Sequence, residues 1–502
     1  MKDKARKRIF MGLFAGLIAA GLVCLLTACG GEQRPEETPG IDLLAELKAD
    51  ESVPAIDTTV TVSSNGMGLK LQTPLKFEWA ELFREDYSRF DPLLAKFSLL
   101  MCLDAQDNGR AAVTDAPKGS ESDDSAFPAS LGFGKTQRFL IGANAEENPD
   151  DTTSMVVSAF TYLREDRHIS YINVSFTGTD GSNGQWASNF DIGAEGSVYP
   201  GASEEWRVKA NHKGFDVTAT RALAQLKSCF QTLELAGADR AVVGINGYSR
   251  GAAVANIVAA RFFDAGLELS PNTAVYAYTF AAPNTTTETA AEGSCIFNLI
   301  NAGDVVPSLP PESMGFSRYG QDLVFDLSSD QALSSRYTQL TGSKYSSTGL
   351  RRLRSGLQAL CADRTAYYTV GTDADSTNTL RFMSRSQAAV QRESVRKQLM
   401  AFCPEHFDDY VSLGEVIREA DGSFSFSYSL APAFISAAIP ALLKKVGSGM
   451  NLTSLLPTLS LVSYGRFSSL VLAVAEVFVA EGDVIRDMHD PAAYFLYIDS
   501  LS

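Results

Sequence analysis

The sequence predicts an α/β fold: a doubly wound, mostly parallel sheet carrying a largely helical insertion toward its C-terminal end. Three observations predict it. From about residue 138, apolar runs of strand length alternate with stretches of helical periodicity. One run, residues 241–245, is apolar without alternation, as expected of a strand buried on both faces of a parallel sheet. It leads directly into Gly247-Tyr248-Ser249-Arg250-Gly251, and a second helical pattern follows.

Each element has its own local reason. Residues 58–62 and 69–71 read as short strands around Asn65-Gly66, an Asn-Gly turn signal. Residues 90–103 show a helical apolar pattern with Pro92 in the first turn, and the polar stretch 104–128 reads as a loop. Strands are expected at 139–141, 155–162 and 171–176. Residues 215–233 place Phe215, Ala219, Leu223, Leu226, Phe230 and Leu233 on one helical face, with Gly237 closing that helix. A helix at 252–263 and strands at 274–280 and 295–300 complete the alternation. From about 314 to 482 the alternation stops, and basic helical stretches give way to apolar ones at 430–443 and 470–479. The last is too short, and too interrupted by Glu476, to span a bilayer.

The chain has 502 residues, 45% hydrophobic and 20% charged, enough for a sizeable core. A net charge of −16 argues against nucleic acid as a partner, since nothing would neutralise phosphates. It argues equally against loose electrostatic docking on an anionic membrane. The N-terminus reads as an address. Lys2, Lys4, Arg6, Lys7 and Arg8 precede an apolar stretch, residues 9–26, that ends in Leu26-Thr27-Ala28-Cys29. This arrangement resembles a bacterial lipobox. That resemblance implies cleavage after residue 28, two acyl chains on Cys29, and an extracytoplasmic protein anchored to a bacterial membrane as a lipoprotein. Loss of residues 1–28 removes five positive charges and one negative, leaving about −20. Residues 29–55 read as a flexible tether. Of the 7 cysteines, Cys102, Cys229, Cys295, Cys361 and Cys403 remain after Cys24 and Cys29. Their spacing gives neither a disulfide framework nor a metal motif, although one bridge stays open; no metal or organic cofactor is expected.

A bare Gly-x-Ser-x-Gly is weak evidence, and position strengthens it. Between a buried strand and a helix, a strained turn would lift the Ser249 hydroxyl above the sheet edge. Gly247 and Gly251 would avoid collision with the turn and the neighbouring strand. The following helix would aim its first N–H groups at a developing oxyanion. The pattern in this place predicts the nucleophile elbow of an α/β-hydrolase.

Further segments, in order, resemble the class 3 lipase family. Val174-Ser175-Phe176-Thr177-Gly178-Thr179 is similar to its strand plus FRGT, with Trp186 following. His212-Lys213-Gly214-Phe215 looks like HxGF, Gly247 to Gly251 stands for GHSLG, and Thr279-Phe280-Ala281-Ala282-Pro283 for TFGxP. Residues 298–310, with Asp304-Val305-Val306-Pro307, resemble the segment carrying the acid. The resemblance covers residues 85–311 plus a C-terminal histidine. It implies Ser249 as nucleophile, the Arg250 N–H and Thr179 as oxyanion donors, and Asp304 as the acid orienting the histidine.

The order Ser, acid, His fits the residues themselves, and Asp304 follows the second strand after the elbow, at the same sheet edge. Asp191 and Asp264 are rivals to Asp304. The base must come later, and the chain has 4 histidines. His168 and His212 come too early; His212 reads as a helix-start residue. His489, followed by an apolar stretch that could dock it, and His406 remain, with His489 preferred. Thr177 replaces the arginine of FRGT, and Arg250 the leucine of GHSLG. Arg250 either restores the missing charge or meets an anionic head group.

The expected organisation is a signal peptide at 1–28, a tether at 29–55, a hydrolase core at 56–313, a helical lid or cap at 314–481, and a core segment at 482–502 with the catalytic histidine. The apolar helices of the insertion would form an acyl pocket or simply a small subdomain core. The expected activity is hydrolysis of carboxylic esters, lipid or otherwise apolar, through an acyl-enzyme. A non-catalytic surface-binding lipoprotein and a serine peptidase or acyltransferase on the same scaffold are the rival readings.

Overall fold

A computed structural model describes residues 43–53, 55–64, 69–115, 126–144, 148–164, 167–179, 211–233, 237–287, 295–310, 316–351, 369–372, 377–382, 384–400, 407–420, 422–430 and 484–501, with Gln185, Ser188, Asn189, Leu235 and Glu312. Residues 1–53 and 54–502 form two compact units. In the first, Leu43–Ala49 is helical. Part of the expected tether therefore has structure, because Leu, Ala, Glu and Lys are all strong helix formers. The leader and Cys29 lie outside the described residues.

The second unit is built on a seven-stranded sheet. Its strands are β3 (Lys135–Asn144), β4 (Asn148–Arg164), β5 (Arg167–Phe176), β6 (Arg240–Tyr248), β7 (Thr273–Phe280), β8 (Ile296–Asn301) and β9 (Gln321–Phe325), in that spatial order. β3, β4 and β5 form an antiparallel meander, and every pairing from β5 to β9 is parallel. An antiparallel hairpin of β1 (Ile56–Ser64) and β2 (Leu69–Phe77) precedes it. The turn signal at Asn65-Gly66 lies outside the described residues.

Burial on both faces explains the unbroken apolar runs. Ile172, Val174, Val243 and Ile245 point to a core shared with α2 (Lys213–Thr232) and α3 (Arg250–Ala260). All six residues predicted for the inner face of α2 are buried there. The other face carries Tyr171, Tyr276 and Tyr278 and is covered by α1 (Pro92–Asp115), whose Phe97 meets Tyr171 edge-on at 6.0 Å. α1 is apolar on most sides because it also packs on β1 and on α6 (Pro491–Asp499).

Four expectations need correction. The segment 104–128 is not one loop: α1 continues to Asp115, and Ala126–Ser130 is helical. Its polar composition misled, since Gln106 is buried and bonds to the sheet edge. Gly237 does not cap α2, which ends at Leu233 in a right-handed conformation; with φ +84, Gly237 turns the chain toward β6. The sheet runs past residue 313, because β9 pairs with β8. Residues 314–481 are not simply helical. Besides α4 (Gln331–Thr341) and α5 (Arg385–Met400), they hold an antiparallel sheet of β10 (Thr369–Thr372), β11 (Thr377–Phe382), β12 (Val411–Leu413), β13 (Ile417–Arg418) and β14 (Phe424–Leu430). Alternation such as Phe424, Phe426 and Tyr428 against serines is the period-2 signal of a strand with one face covered. The apolar stretches 430–443 and 470–479 lie outside the described residues but for Leu430 at the end of β14. Among those described, no helix is long and apolar enough to cross a membrane.

Candidate active site

The site begins with a strained turn. Ser249 joins β6 to α3 with φ 56 and ψ −124, a conformation that costs an ordinary side chain on the order of 1–3 kcal/mol. Neighbours hold it there. Its N–H donates to the Phe280 carbonyl at 2.9 Å, and its own carbonyl accepts from Ala252 and Ala253 at the start of α3. The two glycines are sterically required. A Cβ on Gly247 would sit 2.3 Å from the Gly251 carbonyl oxygen, and one on Gly251 2.3 Å from that of Phe176 on β5.

His489 reaches this serine from 240 residues along the chain. Its Nε2 lies 2.8 Å from Ser249 Oγ, and its Nδ1 lies 2.7 Å from Asp304 Oδ2. A carboxylate only accepts, so Nδ1 carries the proton and Nε2 is left to accept from the serine hydroxyl. Asp304 is buried just beyond the end of β8. It also accepts from Tyr494 Oη at 2.9 Å and from the Val306 N–H at 3.0 Å. Three donors thus hold the carboxylate in one orientation.

The loop bearing His489 is fixed by its carbonyls. Tyr248 Oη donates to the His489 carbonyl and Tyr337 Oη to that of Asp487, while Asn301 Nδ2 donates to that of Met488 at 2.8 Å. Asp490 caps α6 through the Ala492 N–H at 2.8 Å. Burial raises the Asp490 carboxyl to about 6.

Residues 173–314 match the profile of the family Lipase (class 3). The matched stretch contains Ser249 and Asp304 and ends before His489. The chain is a lipase-type serine hydrolase. Solved structures with similarity include a mono- and diacylglycerol lipase from Aspergillus oryzae, at 17% identity over 47% of this chain and 79% of that one, TM-score 0.30. The M37 lipase matches at 14% identity over 50% and 68%, TM-score 0.24. A structure described for an unusual buried polar cluster in a family of fungal lipases matches at 18% over 47% and 78%, TM-score 0.28. Among curated proteins there is no match.

On the other side of Ser249, the hydrolase runs Thr177-Gly178-Thr179 alongside the elbow. A Cβ on Gly178 would lie 3.4 Å from Ser249 Cβ, and the Gly178 N–H donates to Gln106 Oε1 at 2.7 Å. Thr177 bonds to β4, its N–H donating to the Ser154 carbonyl at 3.0 Å. Arg250 is the first residue of α3, so its N–H belongs to the turn whose amides point along the helix axis toward the serine.

The Arg250 side chain does not face substrate. It is 1% exposed and paired with Asp151 at 2.8 Å, with further bonds to Thr153 Oγ1, the Gln185 carbonyl, Ser188 Oγ and Asn189 Oδ1. A contact with an anionic head group is therefore excluded, and the guanidinium is a buried structural charge. His212 does not cap α2 with its side chain either. Its ring is buried and stacked 4.0 Å from Phe215, and burial lowers its pKa to about 3.

Of the other predicted residues, His168 bonds Ser170 Oγ at 2.7 Å on β5. Asp264 lies in the turns after α3. His406, Trp186, Asp191, Cys361 and Cys403 lie outside the described residues, whereas the buried Cys102 and Cys229 thiols donate to Asn246 Oδ1 at 2.9 Å and Gln137 Oε1 at 3.1 Å. Sequence reasoning missed Gln106, Asp151, Asn189, Tyr337, Tyr345 and Tyr494. Only Tyr494 had a signal, as a polar tip inside the apolar stretch after His489.

Proposed function

We propose that the chain hydrolyses carboxylic esters with apolar acyl groups through an acyl-enzyme on Ser249. The observation that carries this reading is the continuous hydrogen-bonded path from Ser249 Oγ through His489 to Asp304, with both links at or below 2.8 Å. His489 Nε2 takes the serine proton as Oγ attacks the ester carbonyl carbon. The carbonyl oxygen becomes an oxyanion and faces the N–H groups of Arg250 and Thr179. The tetrahedral adduct collapses, His489 returns the proton to the departing alcohol, and the acyl group stays on Ser249. Water, deprotonated by His489, then repeats the sequence and releases the acid. Asp304 orients the imidazole and stabilises its cationic form.

Support for a lipid or other apolar acyl substrate comes from the family matched by residues 173–314. Residues 314–481 would supply a cap over the acyl chain, and Cys29 a diacyl anchor on an extracytoplasmic membrane face. Labelling with a fluorophosphonate probe tests the chemistry. Wild type should label, while Ser249→Ala and His489→Ala, each checked for folding, should not. A folded wild type that does not label would sink the hydrolase mechanism. Label lost in His406→Ala yet kept in His489→Ala would move the base. Incorporation of a palmitate analogue that persists in Cys29→Ser would remove the anchor.

A further inference from the structure

Residues 337–346 lie beyond the stretch matched by the lipase profile, yet they reach both loops that hold the acid and the base. Tyr345 is where the contacts meet. Its Oη accepts from the N–H of Gly303, the residue before Asp304, at 3.1 Å, and it also meets Asn301 Oδ1. Asn301 Nδ2 lies 2.8 Å from the carbonyl oxygen of Met488, the residue before His489. A carbonyl only accepts, so the amide nitrogen faces Met488 and the amide oxygen faces Tyr345. The phenol proton must then lie between Tyr345 and Asn301. Burial, and after it the Asp326 carboxylate, push the phenol pKa up, which keeps that proton in place. One phenol is thereby bonded to the acid loop directly and to the base loop through a single amide.

We propose that residues 337–346 form a positioning strap for the catalytic pair, in which Tyr345 and Asn301 set the Asp304 loop against the His489 loop. The inference rests on the Ser249 chemistry proposed above. Acid and base are 185 residues apart in the chain, and their 2.7 Å bond tolerates little drift, since a misplacement of about 1 Å can cost 10²-fold in rate. Two more contacts tighten the strap on the base loop. Tyr337 Oη donates to the Asp487 carbonyl, and the Ser346 N–H lies 3.2 Å from Met488 Sδ. There is no slack between strap and acid loop either. A Cβ on Gly303 would sit 3.0 Å from the Ser346 carbonyl oxygen and 3.1 Å from both Met488 Sδ and Tyr345 Oη. The strap has a firm base, because α4 is capped by Asp330 at its start and by Gly342, φ +78, at its end.

Tyr345→Phe tests this directly, because it removes the phenol oxygen and keeps the ring. On p-nitrophenyl butyrate, kcat should fall on the order of tenfold while KM stays within about twofold. Added to His489→Ala, Tyr345→Phe should lower the residual rate no further, since without the imidazole there is nothing left to position. A Tyr345→Phe enzyme that keeps kcat within about twofold of wild type overturns the proposal while Ser249 chemistry stands. A further loss on the His489→Ala background also overturns it, because the phenol would then support the site in general and not the acid–base pair. Should Tyr345→Phe fail to fold, Tyr337→Phe releases the Asp487 carbonyl from the same strap and is read by the same two measurements, with the same outcomes deciding. A folded wild type inert toward both the ester and the fluorophosphonate overturns the inference together with the mechanism beneath it.

Discussion

The two flanks of Ser249 are held by different kinds of interaction. On the flank of Asp304 and His489, the bonds run mostly between neutral groups. Phenol hydroxyls of Tyr248, Tyr337 and Tyr494 and the Asn301 amide fix carbonyls and one carboxylate. On the flank of Thr179, a buried guanidinium gathers Asp151, Ser188 and Asn189 around a single charge pair. The difference teaches where each flank is fragile. A neutral network loses one bond at a time, whereas a buried ion pair loses most of its value when either partner goes.

The largest effect should come from the acid. Asp304→Asn keeps the shape of the site but favours the wrong imidazole tautomer, and kcat should fall roughly 10⁴-fold with little change in the unfolding midpoint. An Asp304→Asn enzyme within about tenfold of wild type would show that this flank does not act through Asp304 at all.

Asp151→Ala attacks the opposite flank and should read out in stability. It leaves Arg250 charged and unpaired in the interior, at a cost of roughly 3–5 kcal/mol in urea denaturation. Removing both charges, in Asp151→Ala with Arg250→Leu, should cost less than Asp151→Ala alone. The reverse order would mean that the pair is not what holds this flank. Tyr494→Phe is the matching change on the acid flank. It removes one of three donors to Asp304 and should cost about 1–3 kcal/mol, with a modest loss of kcat. A cost as large as that of Asp151→Ala would erase the contrast between the flanks.

How far each flank can be read from sequence follows from the same contrast. The elbow is legible because backbone geometry dictates residue type: Gly247 and Gly251 have no room for a Cβ, and a fully apolar β6 announces a strand covered on both sides. Asp304 is legible through order along the chain and its place after β8. His489 is only narrowed to two candidates, since 185 residues separate it from Asp304 and no local pattern spans that gap. The supports are harder still. Tyr337 and Tyr345 lie in a stretch read as cap, yet they bond to Asp487 and Asn301 beneath the site. Gln106 lies in a segment whose polarity suggested a loop. Asp151 is 99 residues before Arg250, and only the register of β4 against β5 brings the two together. Long-range polar partners leave no periodicity behind them.

Acid should separate the flanks by sign, and with the smallest effect. His212 packs on Phe215 in the Arg250 flank, and burial lowers its pKa to about 3 from the ordinary 6.5. Between those values the unfolded chain binds the extra proton, so stability is lost as pH falls from about 6.5 toward 3. Asp490 beside His489 behaves oppositely. Burial raises its pKa to about 6, above the ordinary 3.8, so the folded state binds the proton first. The contribution of Asp490 is therefore fully present below pH 3.8 and lost as pH rises through about 6. Between pH 4 and 6 the two slopes oppose each other, each at most about 1.4 kcal/mol per pH unit, and that of Asp490 is reduced because its side chain is partly exposed to solvent. Asp490→Asn, which keeps an N-cap, should make acid destabilisation steeper than in wild type, and His212→Phe should make it shallower. Unfolding midpoints measured in urea at pH 4, 5 and 6 would show this as two difference curves of opposite slope. Curves of the same sign would mean that one of these two groups is not buried in its neutral form.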